Sequence, residues 1–215
     1  MLVALQAGQR ESSESWAGLL RDLRARGRRP PRLVVGDGHL GIGGGLRQVY
    51  PEAAEQRCWN HRLLNLLDRL AKRDQRAAKE LLRRVMYAPS LQAAEREKSA
   101  FQSWCGERGY PQAGVLIEQD WERLTAFYAF PREHGVHSRT TNPVESPLAA
   151  LRLRTDAAKR FRRVENATAV IWKRLLLAEH RFRRLNAPGL LKAVFPSAVC
   201  VNGVLTLDQP VKLAA

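Results

Sequence analysis

The chain has 215 residues, 45% hydrophobic and 27% charged, enough for one sizeable folded domain or a domain carrying an insertion, and too apolar for a disordered chain. No apolar run approaches the ~20 residues needed to cross a bilayer, and the N-terminus has no basic region ahead of a long apolar stretch, so neither a spanning segment nor a secretory signal is expected. Thirty-six Lys and Arg against 21 Asp and Glu give +15 and a pI near 10.8, which suits a polyanionic partner and leaves nucleic acid, a ribosome or a membrane surface open. Three widely spaced cysteines, Cys58, Cys105 and Cys200, do not make a disulfide framework, and a reducing cytoplasm is the expected compartment.

In chain order, Leu2–Ala7 is short, apolar and followed by Gly8, which predicts a strand and a turn. Ser12 to Ser15 offer N-caps for a helix carrying Trp16, Leu19, Leu20 and Leu23 at helical spacing, with Gly27 at its end. After Pro30-Pro31, the run Arg32-Leu33-Val34-Val35 predicts a buried parallel strand ending at Asp37-Gly38. A short helix over Leu46–Tyr50 and a third strand over Glu55–Trp59 follow. Strand and helix alternate through the first sixty residues, the pattern of an α/β sheet. From about Arg62 to Phe130 every segment has helical period. Leu63, Leu64, Leu67 and Leu70 form one stripe, Ala78, Leu81, Leu82 and Val85 another, and Pro89-Ser90 and Pro111 begin further helices. Trp121, Leu124 and Tyr128 share a face of the last. A basic helical stretch then runs to about Leu185. The tail is assigned only a short helix over Gly189–Val194.

Two carboxylates stand where chemistry could occur. Asp37 sits at a strand's C-terminal end, where loops of an α/β sheet converge on ligands, although Asp-Gly is also a common turn pair. Glu145 falls in the first turn of a helix opened by Asn142-Pro143, a position the helix dipole favours for any acid. Together they could hold Mg²⁺ through oxygen for two-ion phosphoryl transfer, a chemistry that normally wants three carboxylates. Cys58 and His61 form a Cys-x-x-His pair. A zinc site adding His134 and His137 is the sharper reading, and a buried thiol beside a supporting imidazole the plainer one. Between Arg152 and Arg184, eleven bases face three acids, more than half of the net charge. Ala167, Val170, Ile171, Leu175, Ala178 and Phe182 keep helical spacing there, so one packed face flanked by bases for DNA phosphates is expected.

The chain resembles the Mutator-type transposases of bacterial insertion sequences from about Leu2 to beyond Leu191. The carrying motifs are Val34-Val35-Gly36-Asp37-Gly38 with Leu40-Gly41, Val49-Tyr50-Pro51, Gln56-Arg57-Cys58-Trp59-Asn60-His61, Ala126-Phe127-Tyr128 with Phe130-Pro131, Arg139 to Ser146, and Phe182-Arg183-Arg184-Leu185-Asn186. Any one is weak, but their order and spacing together are specific. The resemblance implies a DDE-type enzyme of α/β, ribonuclease-H-like fold. Its mixed sheet would be truncated N-terminally, with an all-α insertion between the second and third acids. The parts would be a first core segment over 1–61, the helical insertion over 62–131, a last core segment with basic helices over 132–186, and a tail over 187–215.

Asp37 matches the second acid and Glu145 the third, as catalytic metal ligands for Mg²⁺ (or Mn²⁺), with Cys58 and His61 in support. Arg139, Asn142, Arg152, Arg154, Lys159, Arg160, Arg162 and Arg163 would contact double-stranded DNA, at element ends and target, in a protein that oligomerises at full length, associates with the nucleoid and has no membrane partner. The family's first acid lies upstream of Met1, so the chain is expected to be inactive or impaired alone; the alternatives are a non-catalytic DNA-binding remnant and a translation product that does not fold. Gly43-Gly44-Gly45, Pro147 and Asp156 depart from the family pattern, and the glycines are expected to loosen a helix start.

Overall fold

The structure, a computed structural model, describes residues 2–7, 12–156, 161–195 and 199–206. In chain order it has α1 (Ser13–Ala25), β1 (Leu33–Gly36), α2 (Leu40–Val49), β2 (Ala54–Arg57), α3 (Trp59–Leu67), α4 (Lys72–Met86), α5 (Leu91–Glu107) and α6 (Pro111–Gln119). There follow α7 (Trp121–Thr125), α8 (Gly135–Ser138), α9 (Asn142–Asp156), α10 (Val164–Glu179), α11 (Leu191–Val194), β3 (Cys200–Val201) and β4 (Val204–Leu205), with 3₁₀ turns at Ala126–Ala129, Arg132–His134 and Pro188–Leu190. No helix among the described residues is long and apolar enough to cross a membrane. The chain divides into two compact units. One comprises Met1–Pro31, Gly38–Ala53 and Thr141–Leu185, the other Arg32–Asp37, Ala54–Thr140 and Asn186–Ala215.

The first unit holds α1, α2, α9 and α10. Ser12 caps α1 by accepting the Ser15 N–H at 3.2 Å, while the Ser15 hydroxyl accepts the Ser12 N–H at 3.1 Å, a reciprocal box that satisfies two otherwise orphaned donors. The helix α2 begins at Leu40, ahead of the three glycines, with the His39 ring accepting the Gly41 N–H at 3.2 Å. The expected loosening is therefore not what the glycines do. They let α1 and α2 approach closely: a Cβ on Gly45 would lie 2.8 Å from the Ala17 nitrogen, and one on Gly44 would collide with the Ser13 side chain.

Two other expectations fail in this unit. Residues 2–7 form no strand. The Leu2 N–H goes to the Glu179 carboxylate at 3.2 Å and the Val3 carbonyl to Arg26 at 3.2 Å, because no described strand offers them a ladder. The stripe along α10 is only thinly covered. Leu175 is its one buried member among the described residues, while Val170 is exposed.

The second unit carries the parallel pair β1–β2, in the register Leu33 with Ala54 through Gly36 with Arg57, and the helical block. Its core is Trp59, Leu63, Leu66, Leu67, Leu70, Ala78, Leu82, Val85, Phe101, Cys105, Ile117, Leu124 and their neighbours, so the helical reading of this stretch holds. The first stripe is rotated by one position, since Leu66 is fully buried and Leu64 is 56% exposed. With Trp59 as the first helical residue, the 3.6-residue repeat turns 63, 66, 67 and 70 inward. The expected third strand stops at Arg57 because Cys58 and Trp59 begin α3.

A polar network ties β2 to the block. Gln56, wholly buried, donates to the Leu124 carbonyl at 3.0 Å and accepts the Phe127 N–H at 2.9 Å, while the Trp59 indole donates to Leu124 at 2.8 Å. Asp120, 3% exposed, is paired with Arg57 at 2.7 Å and with Arg62 and Arg123. The tail adds an antiparallel hairpin, β3–β4, turning at Asn202-Gly203, both of positive φ. Asn-Gly is the dipeptide such a turn selects, so the hairpin has a local signal in the sequence.

Candidate functional site

Both strands of the parallel pair end at one edge. Asp37 is the first residue beyond β1 and is exposed; Gly38, at φ +96°, turns the chain away immediately after it. Beyond β2, the Cys58 N–H donates to the Gly36 carbonyl at 2.6 Å, extending the ladder by one bond and holding Cys58 beside the Asp37 backbone. Cys58 is also the N-cap of α3, which puts His61 one turn into the helix. The Cys58 sulfur and a His61 ring nitrogen lie within 4.8 Å of each other, the thiol buried and the imidazole half-buried. The Trp59 N–H, an otherwise orphaned donor of the first turn, reaches the Arg139 carbonyl at 3.0 Å.

Arg57 gives this edge its electrostatics. Burial and then Arg123 lower its pKa, while Asp37 and Glu55 act in the opposite direction, so the Asp37 charge is felt at a half-buried guanidinium. Arg62 is brought down to about 10, first by burial and then by Arg57 and Arg123, which marks how crowded with positive charge the ground below this edge is.

Glu145 belongs to the other unit, in the first turn of α9 as the sequence indicates, and is exposed. Its N–H bonds the Thr141 carbonyl at 3.1 Å, and the Thr141 hydroxyl donates to its carboxylate. Asn142, Arg152, Arg162 and Arg163 lie in the same unit and are exposed. Lys159 and Arg160 fall outside the described residues, and Arg154 enters only as helix backbone. Arg139, by contrast, is half-buried in the unit of Asp37, its guanidinium 4.6 Å over the Phe127 ring and 5.7 Å from that of Tyr87.

The zinc reading does not survive. The His134 Nε2 lies 3.3 Å from the Ala187 carbonyl, and the His137 Nε2 accepts the Asn186 N–H at 3.2 Å. Both rings serve the tail, and among the described residues neither belongs to a group of ligands close enough to hold an ion. Sequence reasoning also missed Asp120 and Arg57. Asp120 reads as an ordinary helix-start acid before Trp121, and only its burial among three arginines gives it away.

Residues 1–182 match the family described as Transposase, Mutator family. The chain belongs to that family. It is 40% identical over 209 residues to the transposase for insertion sequence element IS6120 of Mycolicibacterium smegmatis, a match covering 97% of this chain and 64% of that protein. With the transposase for insertion sequence element IST2 of Acidithiobacillus ferrooxidans the identity is 38% over 218 residues, covering 100% of this chain and 73% of the relative. The Mutator-family chain thus spans roughly two thirds to three quarters of the length of these relatives, in keeping with the motifs that carried the resemblance.

Proposed function

We propose that this chain is the catalytic-core part of an insertion-sequence transposase, which cleaves and joins DNA strands during transposition. The carrying observation is the edge at the C-terminal ends of two parallel strands, where Asp37 follows β1 and Cys58, with a His61 ring nitrogen within 4.8 Å of its sulfur, follows β2, a place where α/β sheets gather ligands. The parallel pair, followed by a helical block, supports a ribonuclease-H-like core of DDE type. Asp37 and Glu145, both exposed carboxylates, are the hard oxygen donors that Mg²⁺ or Mn²⁺ prefers, so the donor chemistry fits. Such an ion would neutralise phosphate charge and lower the pKa of a water nucleophile. Cys58 and His61 would shape the edge beside Asp37. The exposed Arg152, Arg162 and Arg163 would hold the backbone of double-stranded DNA, and the full-length protein would act as a homo-oligomer.

Two carboxylates in suitable contexts are fewer than the three this chemistry normally uses, so we expect the 215 residues alone to be inactive or severely impaired in strand transfer. That shortage also favours a second reading, a non-catalytic module that binds DNA at element ends.

The experiment is calorimetric titration of Mn²⁺ and Mg²⁺ into the chain, its Asp37→Ala and Glu145→Ala variants, together with a nicking and strand-transfer assay on a duplex bearing an element end. Metal binding lost in either variant supports the enzyme reading. Binding indifferent to both substitutions, with duplex affinity retained, leaves only the DNA-binding module. Robust strand transfer by the 215 residues would overturn the expected impairment.

A further inference from the structure

The second unit contains a cavity of about 220 Å³, apart from the strand-end edge, lined by Tyr87, Pro89, Phe127, Phe130, Arg132 and Arg139, with Asn202 of the β3–β4 hairpin also in its wall. Its charges are unusual. The Arg139 guanidinium lies against Gly135, where a Cβ would come within 3.0 Å of it, and over the Phe127 ring; its Nε is wholly buried and without a hydrogen-bond partner. No carboxylate among the described residues pairs with Arg139. Arg132 adds a second positive charge, and the hydrogen bond of its side chain is a long one, 3.4 Å, to the Pro89 carbonyl. Burial lowers the Arg139 pKa, and Arg132 lowers it further. Arg132 is exposed, but the half-buried Arg139 guanidinium is held partly out of water without an acidic partner, which is costly, and an incoming anion would relieve that cost.

The remaining walls select the rest of the ligand. Tyr87 is 61% exposed although it lines the same cavity as a buried aromatic pair, Phe127 and Tyr128, and the Arg139 guanidinium lies 5.7 Å over its ring, so it offers exposed aromatic surface next to the arginines. The Asn202 Oδ1 is taken by the Leu91 N–H at 2.8 Å, which turns its amide NH₂ into the available donor. The frame is rigid. The Gly203 N–H bonds the Tyr128 carbonyl and the Arg132 N–H the Gly203 carbonyl, both at 2.9 Å, while the Arg139 carbonyl is held by Trp59, the residue after Cys58.

We infer that this cavity binds a single unpaired deoxynucleotide, its base stacked on Tyr87 and its phosphate on Arg139 and Arg132. A ring face beside guanidinium groups is how proteins hold single-stranded bases without reading their sequence. A base still paired in a duplex could not enter so small a space, so the nucleotide must be extruded or belong to a frayed end. An acidic peptide would satisfy the arginines but leave the Tyr87 face unused. The biological role rests on the transposase reading above; the binding chemistry does not.

The test is titration of the full chain with dAMP, with deoxyadenosine and inorganic phosphate as half-ligands and a short poly-glutamate peptide as competitor. One dAMP should bind per chain, with each half-ligand at least ten-fold weaker. Tyr87→Ala should weaken dAMP five-fold or more while Tyr87→Trp restores it, and Arg139→Lys should reduce the advantage of dAMP over deoxyadenosine. Because Tyr87 is mostly exposed, its variants should melt like the parent, so lost affinity would report binding and not unfolding. Duplex binding, measured in parallel, should persist in Tyr87→Ala. Absence of saturable dAMP binding, indifference to Tyr87→Ala, or equal competition by the peptide would each overturn the inference. A chain that binds dAMP yet neither metal nor duplex would instead overturn the transposase reading and leave the pocket standing.

Discussion

Arg57 and Asp120 form an ion pair at 2.7 Å that joins the last residue of β2 to the residue preceding α7, and the same aspartate also holds Arg62 and Arg123. Asp120 therefore serves three bases, two of them with side chains no more than 12% exposed, while the third, Arg123, also reaches Glu55 at 3.2 Å.

Removing that acid should be far worse than removing one of its partners. Asp120→Ala strands buried positive charge and is expected to cost about 3–5 kcal/mol. Arg123→Ala, at a more exposed side chain, should cost much less. Urea denaturation of both variants checks the order, and equal losses would show that Asp120 is not the hub.

The exposed bases of the first unit should act through phosphate alone. Replacing Arg152, Arg162 and Arg163 together by Gln is expected to weaken all duplex sequences alike. It should also flatten the slope of log affinity against log salt by roughly 2–3, at about 0.9 for each phosphate left without its cation. Filter binding across a salt series decides it; an unchanged slope would place the DNA elsewhere.

Gly45 and Gly18 offer a matched pair of helix glycines. Gly18→Ala meets nothing within 4 Å and should stabilise by up to ~1 kcal/mol through helix propensity. Gly45→Ala drives a methyl into the Ala17 backbone, and the net loss should be about 1–2 kcal/mol. Thermal melts of the two variants should move in opposite directions.

Cys105 is wholly buried, and burial raises its thiol to about 11 from an ordinary value of 9.0. The unfolded chain therefore ionises first as pH rises. The contribution is fully present below pH 9 and is lost progressively towards 11, so this group should lower stability across that window. Iodoacetamide at pH 8 should leave Cys105 unlabelled until denaturant is added; prompt labelling of the folded chain would refute its placement.

Much of the molecule is written locally. The Ser12 cap, the strand over Leu33–Gly36, Ser90 and Pro111 as helix starts, and Glu145 in a first turn all follow from short-range hydrogen bonding and backbone sterics, which neighbouring residues suffice to specify. The motifs carried the Mutator family for the same reason: they are contiguous.

What needed three dimensions was whatever depends on distant partners. Leu2–Ala7 has strand composition but found no ladder, and Leu64 lost the core to Leu66 by the phase of one helix. Arg139 looks like a surface base for DNA, yet it lies over Phe127, twelve positions earlier in the chain. Composition states what a side chain can do. Burial and the charges that folding brings around it, as around Asp120, decide which of those things it does.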